Sequence, residues 1–159
     1  MSNYHLAQIN IGKVLYPVDD PRMAGFMDNL DKINALAEAT EGFVWRFKTD
    51  EGNATSVHAF DDPMLLLNMS VWEDIEALYR YAYKSEHGEF FARRREWFTK
   101  IELPSPVLWW IPAGHIPTVE EAKERIYHHA ANGASAYAFN FKERFTVAEF
   151  EIFLNKNLG

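Results

Sequence analysis

The sequence predicts an α+β fold: one antiparallel sheet with its helices on one face. Two observations predict it. Four separate segments read as strands, three by period-two alternation and the fourth as a short apolar run between prolines, and two longer segments repeat apolar residues at three- and four-residue spacing. Their order along the chain is strand, helix, strand, strand, helix, strand, which is the ferredoxin-like βαββαβ arrangement. A further helical segment and a tail follow, so residues 1–159 read as one domain with a C-terminal extension from about residue 113.

The first strand is YHLAQINIG at residues 4–12. His5, Ala7, Ile9 and Ile11 share one face, and Leu6, Gln8 and Asn10 share the other. Asp19 or Asp20 then caps a helix whose first turn suits Pro21. Its apolar stripe is Met23, Phe26, Met27, Leu30, Ile33 and Ala37, ending near Thr40. After Glu41-Gly42, FVWRFK reads as a strand with Phe43, Trp45 and Phe47 opposite Val44, Arg46 and Lys48. TDEGNAT is a turn-rich loop. MLLLNMSVW is the third strand, with Leu65, Leu67, Met69 and Val71 on one side and Leu66, Asn68, Ser70 and Trp72 on the other.

The second helix starts near Glu73 with Ile75, Leu78, Tyr81 and Ala82 inward. It falters near Gly88 and resumes through FFARRREWFTKI. SPVLWWIP, between prolines, is the fourth strand. Thr118 and Glu121 form a capping box for VEEAKERIYHHAA, which Gly133 ends. AYAFNF reads as a short extended segment, and TVAEFEIFLNK as a tail favouring helix.

Composition narrows the function classes. The 16 Lys and Arg against 23 Asp and Glu give a net charge of −7, which suits neither nucleic acid nor an anionic membrane. No apolar run approaches the roughly 18 residues of a membrane span. MSNYHLAQIN has neither the basic head nor the apolar core of a secretory signal, and the absence of cysteine excludes disulfides and thiolate sites, so a cytoplasmic location is expected.

The sheet has no cleanly polar face. Val107-Leu108-Trp109-Trp110-Ile111 has no watery side, and Leu66 and Trp72 stand opposite the Leu65/Met69 row. An antiparallel sheet with helices on one face and water on the other alternates cleanly, so this one predicts a broad apolar back face that something must cover. One short C-terminal helix looks too small for that, and a homodimer packed sheet against sheet around a cavity is expected. Its walls would combine Leu6, Gln8, Asn10, Asn68, Ser70, Trp72 and either Trp109 or Trp110, an apolar lining with a few polar groups that suits a small molecule.

Asn10, Asn68 and Ser70 would each cost about 1–3 kcal/mol if buried unpaired, so they must bond one another, a ligand or a partner chain. His87, with Glu86 and Glu89 beside it, is the candidate acid or base; the bland alternative is a helix-end histidine bonded to a carbonyl. Trp72, Trp109 and Trp110 can stack on a flat ligand or simply fill the core, and Trp97 with Phe98 reads as packing at a helix end. Arg93-Arg94-Arg95 is a basic run whose members diverge by about 100° per residue on a helix, with Arg94 the candidate carboxylate clamp. His128 and His129 diverge likewise, His5, His58 and His115 are scattered, and there is no HxH, HxxxH or HExxH pattern, so no metal is expected.

The segments DDPMLLLNMSVWEDIEALYRYAYKSEHGEFFARRREWF and PSPVLWWIPAGHIPTVEEAKERIYHHAANGASAYAFNF resemble the dimeric α+β barrel superfamily. Its members include antibiotic-biosynthesis and haem-degrading monooxygenases. Within it the chain is most similar to a bacterial family described only as a domain of unknown function, and the likeness spans residues 4 to about 145. Haem-degrading relatives use an Asn on the first strand, a Trp on the helix after the third strand and a His further along. Asn10 takes the first of these positions, Tyr81 stands in place of the Trp, and His87 follows at a shorter spacing. The resemblance implies a homodimeric monooxygenase-like protein, without a bound cofactor, acting on an aromatic or polyketide-like molecule. Its site would use Asn10, Asn68 and His87 for chemistry, and Gln8, Ser70, Trp72, Tyr81 and Trp110 for binding. The alternative is a non-catalytic module for a small molecule or haem, with His87 as the haem ligand.

Overall fold

The computed structural model describes residues 3–48, 64–84 and 93–158. Strand β1 runs over Tyr4–Val14, and helix α1 over Ala24–Ala39 after a 3-10 turn at Pro21–Met23. Strands β2 (Phe43–Arg46) and β3 (Leu65–Trp72) precede α2 (Ile75–Lys84). A 3-10 turn at Arg94–Glu96 leads to β4 (Phe98–Thr99) and β5 (Val107–Pro112), and α3 (Val119–Asn132) and α4 (Val147–Leu158) complete the described elements. The fold is α+β. Among the described residues, no helix is long and apolar enough to cross a membrane.

All the pairings are antiparallel, in the order β2-β3-β1, with β5 and β4 sharing the far edge of β1. Gln8 stands opposite Ser70 and Asn10 opposite Asn68 on β3, while Tyr4 to Ile9 pair with β5 and Lys13 and Val14 with β4. Between β4 and β5 the Ser105 hydroxyl fills in for a strand, accepting from the Ile11 amide at 2.9 Å. The isolated bridge between Leu108 and Phe139 bears out an extended AYAFNF segment.

The helix starts follow local chemistry. Asp20 accepts from the Arg22 amide at 2.8 Å ahead of the Pro21 turn. Thr118 caps α3 by accepting from the Glu121 amide at 3.1 Å. The reciprocal half of that expected capping box is replaced: the Glu121 carboxylate takes the Trp109 indole N–H at 2.8 Å and the His115 ring at 2.7 Å. A complete box sits instead at α4, where Thr146 and Glu149 satisfy each other's amides. Gly42, at φ +91°, turns the chain from α1 into β2 so close to α2 that a Cβ there would lie 2.4 Å from the Ala77 Cβ.

Two expectations are corrected. The first is the helix resuming through FFARRREWFTKI. Among its described residues, only a 3-10 turn forms before the chain extends. Phe98 and Thr99 pair with the end of β1, and the Trp97 carbonyl accepts from the Leu15 amide at 2.7 Å. Pairing with a distant strand has overridden helical composition.

The second is the uncovered back face. Ala7, Ile9 and Ile11 of β1, Leu67, Met69 and Val71 of β3, and Val107, Trp109 and Ile111 of β5 form one core cluster with Ala122 and Ile126 of α3 and with Ala138. Met69, Val107 and Trp109 are 0% exposed within the single chain. The C-terminal extension roofs the face, so the sheet itself does not call for a second copy. The opposite residues, Leu6, Trp72, Leu108 and Trp110, pack against α1, α2 and α4 through Ile33, Ala37, Leu78, Tyr81 and Phe150. The groups expected to line a cavity between two chains, Leu6, Gln8, Asn10, Asn68, Ser70 and Trp72, therefore lie on the helix side of the sheet; Trp109 lies under α3.

The roof predicts a measurable cost. Ile126→Ala removes a fully buried side chain from it and should lower stability by about 2–5 kcal/mol in urea unfolding. A loss under about 0.5 kcal/mol, the range of surface substitutions, would show that α3 does not hold this face closed.

Candidate functional site

The polar groups of the helix-facing side form a row across β1 and β3. The Gln8 amide nitrogen donates to Asn68 Oδ1 at 2.8 Å and to Ser70 Oγ at 2.7 Å, and the Trp72 indole donates to the same Ser70 oxygen at 2.8 Å. Gln8, Ser70 and Trp72 are buried, Trp72 with Tyr81 stacked on it at 5.1 Å and Phe43 edge-on at 5.4 Å. These groups bond one another within the chain, which removes the penalty of burying them. Beyond the row, Ser105 Oγ donates to Asn10 Oδ1 at 2.6 Å.

Where the row ends, at the C-terminal end of β1 and the N-terminal end of β3, a pocket of about 490 Å³ opens between the sheet, α1 and the β4 segment. Asn10, Gly12, Leu66 and Asn68 give its floor; Phe26, Leu30, Ile33 and Asn34 come from α1; Tyr81 comes from α2. Trp97 and Phe98 form an aromatic wall against Phe26, with centroids 5.9 and 5.1 Å away. Gly12 lets Phe98 come close, since a Cβ there would lie 2.8 Å from the ring. Arg46, Arg94, Arg95 and Lys100 bring positive charge, and no Asp or Glu occurs among the described lining residues.

Three amides face this pocket with hydrogen-bonding capacity unspent. Asn10 and Asn68 have their carbonyl oxygens taken by Ser105 and Gln8, which leaves both NH2 groups without a partner among the described residues. Asn34 is only 7% exposed, and its side chain has no hydrogen-bond partner among them. Its amide is not sealed in the core but opens on the pocket, where an entering molecule can meet it.

Of the residues singled out from sequence, Asn10, Asn68 and Tyr81 meet at this pocket. Gln8, Ser70 and Trp72 lie behind it as the supporting row. Trp110 is elsewhere: its indole donates to the Phe145 carbonyl at 2.8 Å, and it borders a separate surface groove with Tyr4, His115 and Phe150. His87 lies outside the described residues, as do Glu86 and Glu89. Of the basic run, Arg93 pairs with Glu96 at 2.8 Å, and Arg94 and Arg95 border the pocket from a turn rather than a helix. Sequence reasoning missed Asn34, although it falls four residues after Leu30 and eight after Phe26, on the inward side of α1. It also missed Arg46 and Lys100, which ordinary surface spacing conceals.

The Tyr81 hydroxyl donates to the Ile33 carbonyl at 3.3 Å, and burial raises its pKa well above the ordinary phenol range, so it stays protonated at neutral pH. Arg46 binds Glu38 at 2.8 Å and holds that carboxylate's pKa below its usual value. The described lining has no His, Met or Cys to ligate a haem iron, and Tyr81 is held neutral by burial; His87, the expected ligand, lies outside the described residues. Among the described residues no cluster of His, Asp and Glu could hold a metal ion.

The row behind the pocket can be tested by removing its shared acceptor. Ser70→Ala orphans the Trp72 indole N–H and one Gln8 N–H in a buried setting. Stability should fall by about 1–3 kcal/mol for each group left unpaired, read by chemical denaturation. A neutral outcome would mean that the row does not fix the pocket floor.

Residues 5–153 match the family described as "Domain of unknown function (DUF3291)". No curated protein matches the chain. Among solved structures, it is similar to a conserved protein from Methanosarcina mazei, at 16% identity and a TM-score of 0.45 over 69% of this chain and 93% of that one. It is also similar to PA3566 from Pseudomonas aeruginosa, at 17% identity and a TM-score of 0.44 over 74% and 98%. Rv0793 from Mycobacterium tuberculosis gives 14% identity and a TM-score of 0.45 over 72% and 99%. With nearly its whole length matched by the family's model, the chain belongs to the DUF3291 family.

Proposed function

We propose that the pocket between the sheet and α1 is a small-molecule site of monooxygenase-like type, working without a bound cofactor on a flat enol or phenol. The observation that carries this reading is the set of three asparagine side chains, Asn10, Asn34 and Asn68, lining one pocket with N–H donors to spare. Amide donors fixed in advance around an apolar cavity stabilise an enolate oxygen more than water does, because they need no reorganisation as charge develops. Tyr81 and the wall of Phe26, Trp97 and Phe98 suit a planar body. The antiparallel order β2-β3-β1-β5 supports a ferredoxin-like reading of the sheet, in keeping with the superfamily that the sequence resembles.

The chemistry balances without a further reductant. The substrate loses a proton from an activated CH2 carbon, and the oxygen of the resulting enolate rests on the asparagine N–H groups. The carbanion carbon gives its electrons to dioxygen. One oxygen atom stays as a carbonyl and the other leaves as water, so CH2 plus O2 becomes C=O plus H2O. His87 is assigned the proton.

A second reading, a non-catalytic binding module, is favoured by the lack of His, Asp or Glu among the described lining residues. Oxygen consumption with a panel of phenols and anthrones separates the two. The oxygenase reading expects uptake that Asn34→Leu lowers by about 100-fold, the usual effect of losing one oxyanion donor, and that His87→Ala abolishes. Ligand binding without uptake decides for the module, and uptake indifferent to Asn10→Ala, Asn34→Leu and His87→Ala would overturn the assigned roles.

A further inference from the structure

The pocket's charge says more about its ligand than its shape does. The chain carries −7 overall, yet four of its 16 basic residues border this one cavity, with no carboxylate among the described lining residues. Arg46 is partly neutralised by Glu38. Arg95 and Lys100 are exposed and have no ion pair among the described residues. A cleft lined by one sign of charge on low-dielectric walls focuses its field and draws the opposite charge. The unpartnered Asn34 amide marks a polar target at the α1 wall, and the apolar surface of Phe26, Leu66 and Trp97 lies in the same pocket.

Resting on the pocket reading above, we infer that the ligand is an aromatic acid: a flat apolar body carrying an anionic group, carboxylate or phosphate monoester, which Arg95 and Lys100 hold at the rim. The neutral oxygen function of the same molecule meets the asparagines. An anion at the rim leaves the enol end free inside, so the two sets of donors do not compete for one group. The guanidinium of Arg95 offers a planar pair of N–H donors that matches a carboxylate or phosphate, and the Lys100 ammonium adds a point charge.

Calorimetric titration of the full chain with 2-naphthoate, 2-naphthyl phosphate and neutral 2-naphthamide tests this. One of the two anions should bind at least about tenfold more tightly than the amide at low salt, and that margin should shrink as ionic strength rises. Which anion binds more tightly identifies the group. In the Arg95→Gln/Lys100→Gln double variant the margin should collapse to within about twofold; both positions are exposed, so the variant should keep its fold, checked by circular dichroism. Amide and anions binding alike would overturn the acid inference while leaving the pocket in place. A margin that persists in the double variant would overturn the role of these two side chains. Binding of none of the three would overturn the pocket reading and this inference with it.

Discussion

The structure depends on the position of β1 at the centre of the sheet. It pairs with β3 along one edge and with β5 and β4 along the other, and in the gap between those two the Ser105 hydroxyl takes the Ile11 amide. Its side chains must then be satisfied on two faces at once, because strand residues alternate strictly between them. Ala7, Ile9 and Ile11 meet this by being apolar under α3. Leu6, Gln8, Asn10 and Gly12 meet it in a graded way, from apolar packing under the α-helical layer to polar groups and finally to a glycine against which the Phe98 ring closes at the pocket.

That gradient explains how a core face can carry a site. Near the middle of β1, Gln8 and Ser70 are buried, with the Gln8 NH2 group and the Ser70 oxygen both engaged inside the chain. Two residues along, Asn10 and Asn68 have only their oxygens engaged, and the bonds that engage them also fix which way their NH2 groups point. The pocket floor is therefore set by the same pairing register that builds the core. A slip of one residue would exchange the amides for Ile9, Ile11, Leu67 and Met69.

Much of this was legible in the sequence. The alternation in YHLAQINIG and LLLNMSVW gave the strands and their two sides, and Asn10, Asn68 and Tyr81 stood out as polar or aromatic groups that reach the pocket. Which side faced the helices was not legible, because Ile9/Met69 and Leu6/Trp72 are equally apolar and period two carries no label for up or down. The coverage by α3 was underestimated for a related reason. Ala122 and Ile126 make a thin stripe, and Tyr137 and Ala138, well along the chain, pack on the same cluster. The turn and strand at Arg94–Thr99 were hidden by residues that favour a helix locally, since their pairing partner, Lys13–Val14, lies some eighty-five residues away. Asn34 was hidden by its company, one polar residue on a stripe read for its hydrophobes.

The central claim is that the ligand site lies within one chain, where β1 and β3 end beside α1, and is read by amides whose hydrogens are unspent. Side-chain amide signals in a nitrogen-15 correlation spectrum test it most directly, recorded with and without 6-hydroxy-2-naphthoate, whose hydroxyl supplies the neutral oxygen function. The account predicts that the NH2 signals of Asn10, Asn34 and Asn68 move together on binding while Gln8, whose amide nitrogen already donates to Asn68 and Ser70, stays in place. Shifts confined to the groove beside Trp110, or to the α3 side of the sheet around Ala122 and Ile126, would contradict it.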